Sequence, residues 1–194
     1  MPLGEKLYRY GCILVGSFKL SSGGLSPYYI DLRRALAHPQ LYREIVGMLV
    51  EKARSIPHDV VAGVATGGIP WASMIAYEMG KPLAYVRSER KSHGTSRLVE
   101  GVVEGRQVLV VDDVATTGSS LARAIKAIRD HGGKPVAALV IVDRCQGARE
   151  RLRELGVELY SLTTAHELVE ELYSLGLISD KAYSLIKSYL ESGR

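Results

Sequence analysis

Two adjacent carboxylates, Asp112 and Asp113, directly follow the aliphatic run Val108–Val111 and precede Val114, Ala115, Thr116, Thr117, Gly118, Ser119 and Ser120. An ionised pair is costly to bury without partners, so at the end of an apolar strand it is expected at the carboxyl edge of a sheet. That edge is where open α/β sheets bind ligands. The hydroxyl-bearing residues that follow lead into an amphipathic segment, Leu121–Arg129, and Gly118 lets the backbone turn tightly and approach a ligand. Free N–H groups at a helix start, the helix dipole and the hydroxyls together form an anion site, while the carboxylates can accept hydrogen bonds from sugar hydroxyls. The chemistry expected of this stretch is the binding of a sugar phosphate.

Four other groups could do chemistry, and each also has a plain structural explanation. Thr66-Gly67-Gly68 is a second flexible strand-to-helix junction or a simple tight turn. Ser88–Ser96 is polar throughout and carries Arg90, Lys91 and His93, as suits a solvated loop or a cationic lid over a phosphate. Arg144, after the strand-ending Asp143, fits a surface ion pair or a bidentate grip on a carboxylate or phosphate. Tyr28-Tyr29 suits packing or an aromatic lid for a planar ring.

The elements that must position these groups follow from periodicity. A short helix over Glu5–Tyr10 is predicted ahead of a hairpin, with strands Cys12–Leu20 and Pro27–Leu32 joined by Ser21-Ser22-Gly23-Gly24. Leu41, Ile45, Met48 and Leu49 form one face of a helix over Pro39–Lys52. The chain then alternates. Strands are predicted at Val60–Ala65, Leu83–Val86, Leu98–Val103, Arg106–Val111, Val136–Val142 and Val157–Leu162, those at 98–103 and 106–111 being joined at Glu104-Gly105. Helices are predicted at Gly68–Met79, Leu121–Arg129, Gly147–Leu155 and Ser179–Ser192, with Thr164-Ala165-His166-Glu167 as a capping box opening another. Such alternation gives an α/β fold with a mostly parallel sheet flanked by helices.

Composition narrows the function classes. The chain has 194 residues, 25 basic against 21 acidic, with no basic run, so a mixed-charge surface is favoured over nucleic-acid binding. The longest apolar run, Val136–Val142, is strand-sized, and no secretory leader pattern opens the chain, so neither a membrane partner nor export is expected and a cytoplasmic protein is. Cys12 and Cys145 lack metal-ligand spacing and read as buried small residues. The absence of Asn and the presence of only three Gln match the depletion found in proteins of hot environments.

The stretch Val-Val-Asp-Asp-Val-Ala-Thr-Thr-Gly-Ser-Ser closely resembles the phosphoribosyl-pyrophosphate (PRPP) motif of type I phosphoribosyltransferases. That motif leaves the base open, since purine and pyrimidine enzymes and some regulators share it. Phe18–Asp31 resembles the N-terminal signature of the orotate phosphoribosyltransferase family, Arg87 with Lys91-Ser92-His93-Gly94 resembles its catalytic loop, and Asp143-Arg144 resembles its orotate-binding strand end. The chain departs at Ser21, Gly67 and Ser88, where certain members carry lysine.

The resemblance implies one domain over 1–194, with a small N-terminal hairpin and helix hood at 1–37 and the core at 38–194. It implies transfer of phosphoribose from PRPP to orotate, with Lys91, His93 and Asp113 as catalytic residues. PRPP would be held by Arg87, Lys91, His93, Asp112, Asp113 and Val114 through Ser120, and orotate by Tyr29, Thr117 and Arg144. It further implies Mg2+ carried by PRPP and not by protein side chains, and a homodimer whose loop 88–96 reaches the neighbouring active site. A phosphoribosyltransferase for uracil or a purine, or a non-catalytic PRPP-binding regulator, are the alternatives.

Overall fold

The computed structural model describes residues 1–19, 24–89 and 98–192. After α1 (Leu3–Arg9), strands β1 (Ile13–Lys19) and β2 (Leu25–Ile30) pair antiparallel as a sheet of their own. A 3-10 helix, Leu32–Ala37, links them to α2 (Pro39–Arg54). Then follow β3 (Val60–Val64), α3 (Gly68–Met79), β4 (Leu83–Val86), β5 (Val99–Glu100), β6 (Gln107–Ala115) and α4 (Ser119–Asp130). The chain continues through β7 (Lys134–Asp143), α5 (Ala148–Glu154), β8 (Glu158–Thr164), α6 (Ala165–Ser174) and α7 (Asp180–Glu191). Strands β3 to β8 form one sheet in the order β5-β4-β3-β6-β7-β8, parallel except for β5.

The aliphatic strands are buried on both faces because alternate residues point to opposite sides. Val61, Leu109, Val111, Ala137 and Leu139 join one cluster with α2, α3, α6 and α7, which also takes in Leu7, Cys12, Ile13 and Tyr28 from the N-terminal segment. Val60, Ala62, Val108, Val110, Ala138 and Val140 pack on the other side against Leu121, Ile125 and Ile128 of α4 and Leu152 of α5. The N-terminal segment is also tied to the far end of the chain, since the Glu5 N–H donates to Glu171 Oε1 of α6 at 2.7 Å. Tyr28 of β2 meets Tyr189 of α7 edge-on, with ring centroids 6.1 Å apart.

Four expectations change. The strand expected over Leu98–Val103 is only Val99–Glu100, pairing antiparallel with the edge strand β4, and the chain leaves at Gly101 with φ +97°. The strand read as following it through Glu104-Gly105 lies at the sheet centre between β3 and β7, the position that a run apolar on both faces requires. Asp112 and Asp113 lie within β6 and do not end it, because β7 keeps pairing alongside as far as Ala115 opposite Asp143. The returning strand of the hairpin stops at Ile30, and Leu32 opens the 3-10 turn that sequence reading missed. Cys145 is exposed, against the expectation of burial, while Cys12 is buried; both are free thiols. The capping box is present as read: Thr164 Oγ1 accepts from the Glu167 N–H at 3.1 Å, and Glu167 Oε2 accepts from the Thr164 N–H at 2.7 Å. Among the described residues no helix is long and apolar enough to cross a membrane.

Candidate active site

From β3 the chain moves to β4 on one side, whereas from β6 it moves to β7 on the other, so the crossovers leaving these two neighbouring strands diverge. A crevice opens outside the carboxyl ends of strands at such a divergence, and ligands bind there. Its two walls are the junctions Ala65–Gly68 and Thr116–Ser120.

On the β6 side Asp112 is only 7% exposed. Its Oδ1 accepts from the Asp113 N–H at 2.9 Å, and Asp113 Oδ1 accepts from the Val114 N–H at 2.8 Å. Burial first, and the neighbouring Asp113 charge second, push the Asp112 carboxyl well above the ordinary carboxylate value. A carboxylate held in that condition gains from donors that a ligand brings. Gly118 takes φ +73° at the N-cap of α4, and no side chain caps the helix, so its first N–H groups are available to an anion. Thr117 and Ser119 share a hydroxyl hydrogen bond at 3.0 Å, and Arg123 of α4 reaches Ser120 Oγ at 3.5 Å. Arg151 of α5 donates to Ser119 Oγ.

On the β3 side the peptide Ala65–Thr66 is cis, and α3 likewise starts at an uncapped glycine, Gly67. A Cβ at Gly67 would lie 2.6 Å from Asp113 Oδ2, and one at Gly68 would lie 2.2 Å from the Val111 carbonyl oxygen. The β3 junction therefore lies directly against β6, Gly67 on the Asp113 carboxylate and Gly68 on the Val111–Asp112 backbone. Beside them lies a cavity of about 280 Å³ lined by Ala65, Arg87, Ser120, Arg123 and Lys126, among others. Arg87, just past β4, sits 3.7 Å from Glu100, and its buried Nε has no hydrogen-bond partner among the described residues. Lys91 and His93 lie outside the described residues, as do Ser21 and Arg90.

Arg144 is fastened to the same wall, its N–H donating to the carbonyl of Ala115 at 2.8 Å. Its Nε donates to the Tyr28 hydroxyl at 3.1 Å, its guanidinium carbon lies 4.9 Å from the Tyr28 ring centre, and its buried Nη2 has no partner among the described residues. Asp143 points elsewhere: fully buried, it accepts from Arg149 Nε and from the Cys145 N–H, each at 2.8 Å. Arg149 also reaches the Leu159 carbonyl and Ser161, so this pair locks the strand end without engaging Arg144.

The hood completes the arrangement. Tyr28 is 2% exposed and Tyr29, on the opposite face of β2, 38%. Tyr29 lies 5.8 Å from Phe18, ring to ring, and its hydroxyl accepts from Arg33 at 3.5 Å. Arg33 is bonded to Asp31 at 2.7 Å. That bond chiefly, with the charge of Asp113 contributing, raises its guanidinium above the ordinary value. Arg33, Arg123 and Arg151 were not singled out in the sequence, and Tyr28 was read only with Tyr29 as packing or an aromatic lid, because each of these contacts is recognisable only through a folded-state partner.

A family profile described as the phosphoribosyl transferase domain matches residues 33–159. An orotate phosphoribosyltransferase of Sulfurisphaera tokodaii is 48% identical over 98% of this chain and 97% of its own length. Among solved structures, the orotate phosphoribosyltransferase of Aeropyrum pernix is similar with a TM-score of 0.81 at 43% identity, covering 92% of this chain and all of that one. The Mycobacterium tuberculosis orotate phosphoribosyltransferase in complex with PRPP is similar with a TM-score of 0.70 at 33% identity, covering 86% of this chain and 99% of that one.

Proposed function

The chain belongs to the orotate phosphoribosyltransferase family, and from that premise we propose that it transfers the 5-phosphoribosyl group of PRPP to orotate, giving orotidine 5'-monophosphate and pyrophosphate in the synthesis of UMP. One observation carries the reading: Arg144, with a buried donor that has no acceptor among the described residues, is bonded to the end of the very strand that bears the carboxylate pair and leads into the hydroxyl turn.

In this reading Asp112 and Asp113 accept hydrogen bonds from the ribose hydroxyls, and residues 114–120 hold the 5'-phosphate through backbone N–H groups and hydroxyls. Arg144 grips the orotate carboxylate, Thr117 touches the base, and Tyr29 lies beside the pyrimidine ring. A ring nitrogen of orotate forms a bond to ribose C1 as the bond from C1 to the pyrophosphate oxygen breaks. Positive charge builds on the ribose, where Asp113 is suited to stabilise it, and negative charge leaves with pyrophosphate, where Arg87, Lys91 and His93 supply cations and hydrogen bonds. Closure of loop 88–96 over the site, reaching across a homodimer, keeps water from attacking the same carbon.

In this reading Mg2+ arrives on PRPP and is not held by protein side chains, and the uncapped helix start at Gly118 with its hydroxyl turn suits the phosphate ligand that brings it. Bound there, it would neutralise charge on the pyrophosphate. We read the chain as one cytoplasmic domain, the hood at 1–37 sharing its core with the remainder.

The test is to mix purified protein, PRPP and Mg2+ with orotate, uracil or adenine and follow loss of each base. Consumption of orotate alone is expected. Preference for another base would reassign the substrate, and no consumption of any would overturn catalysis.

A further inference from the structure

The guanidinium of Arg144 is not held by a carboxylate among the contacts that the structure gives it; it is held by a phenol. Its Nε donates to Tyr28 Oη at 3.1 Å, and the charged carbon lies 4.9 Å from the centre of the same ring. The first contact fixes the guanidinium along its edge and the second fixes it across the ring face, so one side chain restrains both its position and its tilt. Tyr28 is itself packed on several sides. It is 2% exposed, its ring is met edge-on by Tyr189 from α7 at 6.1 Å, and it sits in a strand whose register places it opposite Val15. A carboxylate in the place of Tyr28 would hold Arg144 as firmly and would also neutralise it, whereas a phenol orients the cation and leaves its charge for the ligand. Burial raises the Tyr28 phenol despite the opposing pull of Arg144, in keeping with a neutral partner. Meanwhile Arg144 Nη2 is buried with no acceptor among the described residues. An unmet buried donor on a rigidly held guanidinium is a prepared acceptor site.

We propose that Tyr28, braced by Tyr189, is a positioning residue that presents the Arg144 guanidinium to the carboxylate of the acceptor base. This rests on Arg144 receiving that carboxylate, as set out above. Specificity is then built from three separate parts of the chain: the hairpin, the end of β7 and the terminal helix.

The test uses the full-length enzyme with three variants, Tyr28→Phe, Arg144→Ala and the two combined. Tyr28→Phe keeps the buried ring and removes only the hydroxyl. It is expected to raise the KM for orotate about five- to tenfold while leaving the KM for PRPP and kcat within about twofold, the size of one lost charge-assisted hydrogen bond that acts indirectly. In the Arg144→Ala background the same change is expected to add nothing to the orotate KM, because its effect passes through Arg144. Equal rises in both KM values, or a full further rise in the double variant, would overturn the positioning role. If Arg144→Ala raises the orotate KM and Tyr28→Phe does not, the positioning role fails and the carboxylate grip stands. If Arg144→Ala leaves the orotate KM unchanged, the grip itself fails. Thermal melting of Tyr28→Phe within a few degrees of the parent is expected, and a collapse there would mark the hydroxyl as structural and count against the proposal.

Discussion

The two strand-to-helix junctions at the crevice are built on opposite plans. Both start a helix at a glycine with no side-chain cap. The β3 junction, however, is shaped by what is missing: Gly67 and Gly68 press on Asp113 and on the β6 backbone so closely that even a methyl group would overlap them. The β6 junction is shaped by what is supplied, hydroxyls on Thr117, Ser119 and Ser120 with arginines from α4 and α5 behind them. One wall sets distance and the other sets chemistry. Sequence reading weighs the second far more readily, since a row of hydroxyls announces itself and a close contact does not.

Variants at the glycines test this contrast most severely. Gly68→Ala forces a methyl group to within 2.2 Å of a backbone carbonyl, and an unfolding titration is expected to register a loss of about 3 kcal/mol or more. Gly118→Ala, where the left-handed backbone at φ +73° adds to a tight 3.0 Å approach to the Ala148 Cα that is still well short of the 2.2 Å overlap at Gly68, should lose about 1–2 kcal/mol in the same titration; equal losses would erase the distinction between the walls. Gly67→Ala meets a movable carboxylate instead of backbone. Stability is expected to hold within about 1 kcal/mol while the KM for PRPP rises roughly tenfold as Asp113 is displaced, and an unchanged KM would separate Gly67 from the site.

Subtler changes sharpen the comparison. Ser120→Ala should raise the KM for PRPP by only a few fold, the worth of one exposed hydroxyl at about 0.5–1.5 kcal/mol, with no loss of melting temperature. Asp112→Asn tests the cost of holding the carboxylate ready. The folded state raises this carboxyl, so the stability it contributes is present below the ordinary value of 3.8 and is lost as pH rises through the raised one. The ligand-free variant is therefore expected to melt above the parent near neutrality and level with it in acid, while binding PRPP more weakly. A variant that melts lower at neutral pH would mean that Asp112 is satisfied without ligand.

How legible each part was in the sequence follows from how local it is. Asp112 through Ser120 could be read because strand, carboxylates, hydroxyl turn and helix start are contiguous and each has its own compositional mark. Val99–Glu100 was overestimated because an apolar run does not say where its neighbour lies, and Gly101 ends the strand after two residues. The 3-10 turn at Leu32–Ala37 was missed for want of a helical repeat long enough to register. The placement of Arg144 was half legible: its position after a buried strand suggested a ligand grip, yet the tyrosine that holds it lies 116 residues earlier. Of the adjacent pair Tyr28-Tyr29, only the pairing register decides which ring turns inward.

The attachment of the hood to the last helices sets an order of events during synthesis. Glu5 must wait for Glu171, its hydrogen-bonding partner 166 residues later, and Tyr28 for Tyr189. At about 5–20 residues per second that is a delay of roughly ten to thirty seconds, during which the hairpin has left the ribosome but lacks the surface that seats it. The wall proposed to bind phosphate is synthesised before α6 and α7; the corner proposed to select the base is finished last.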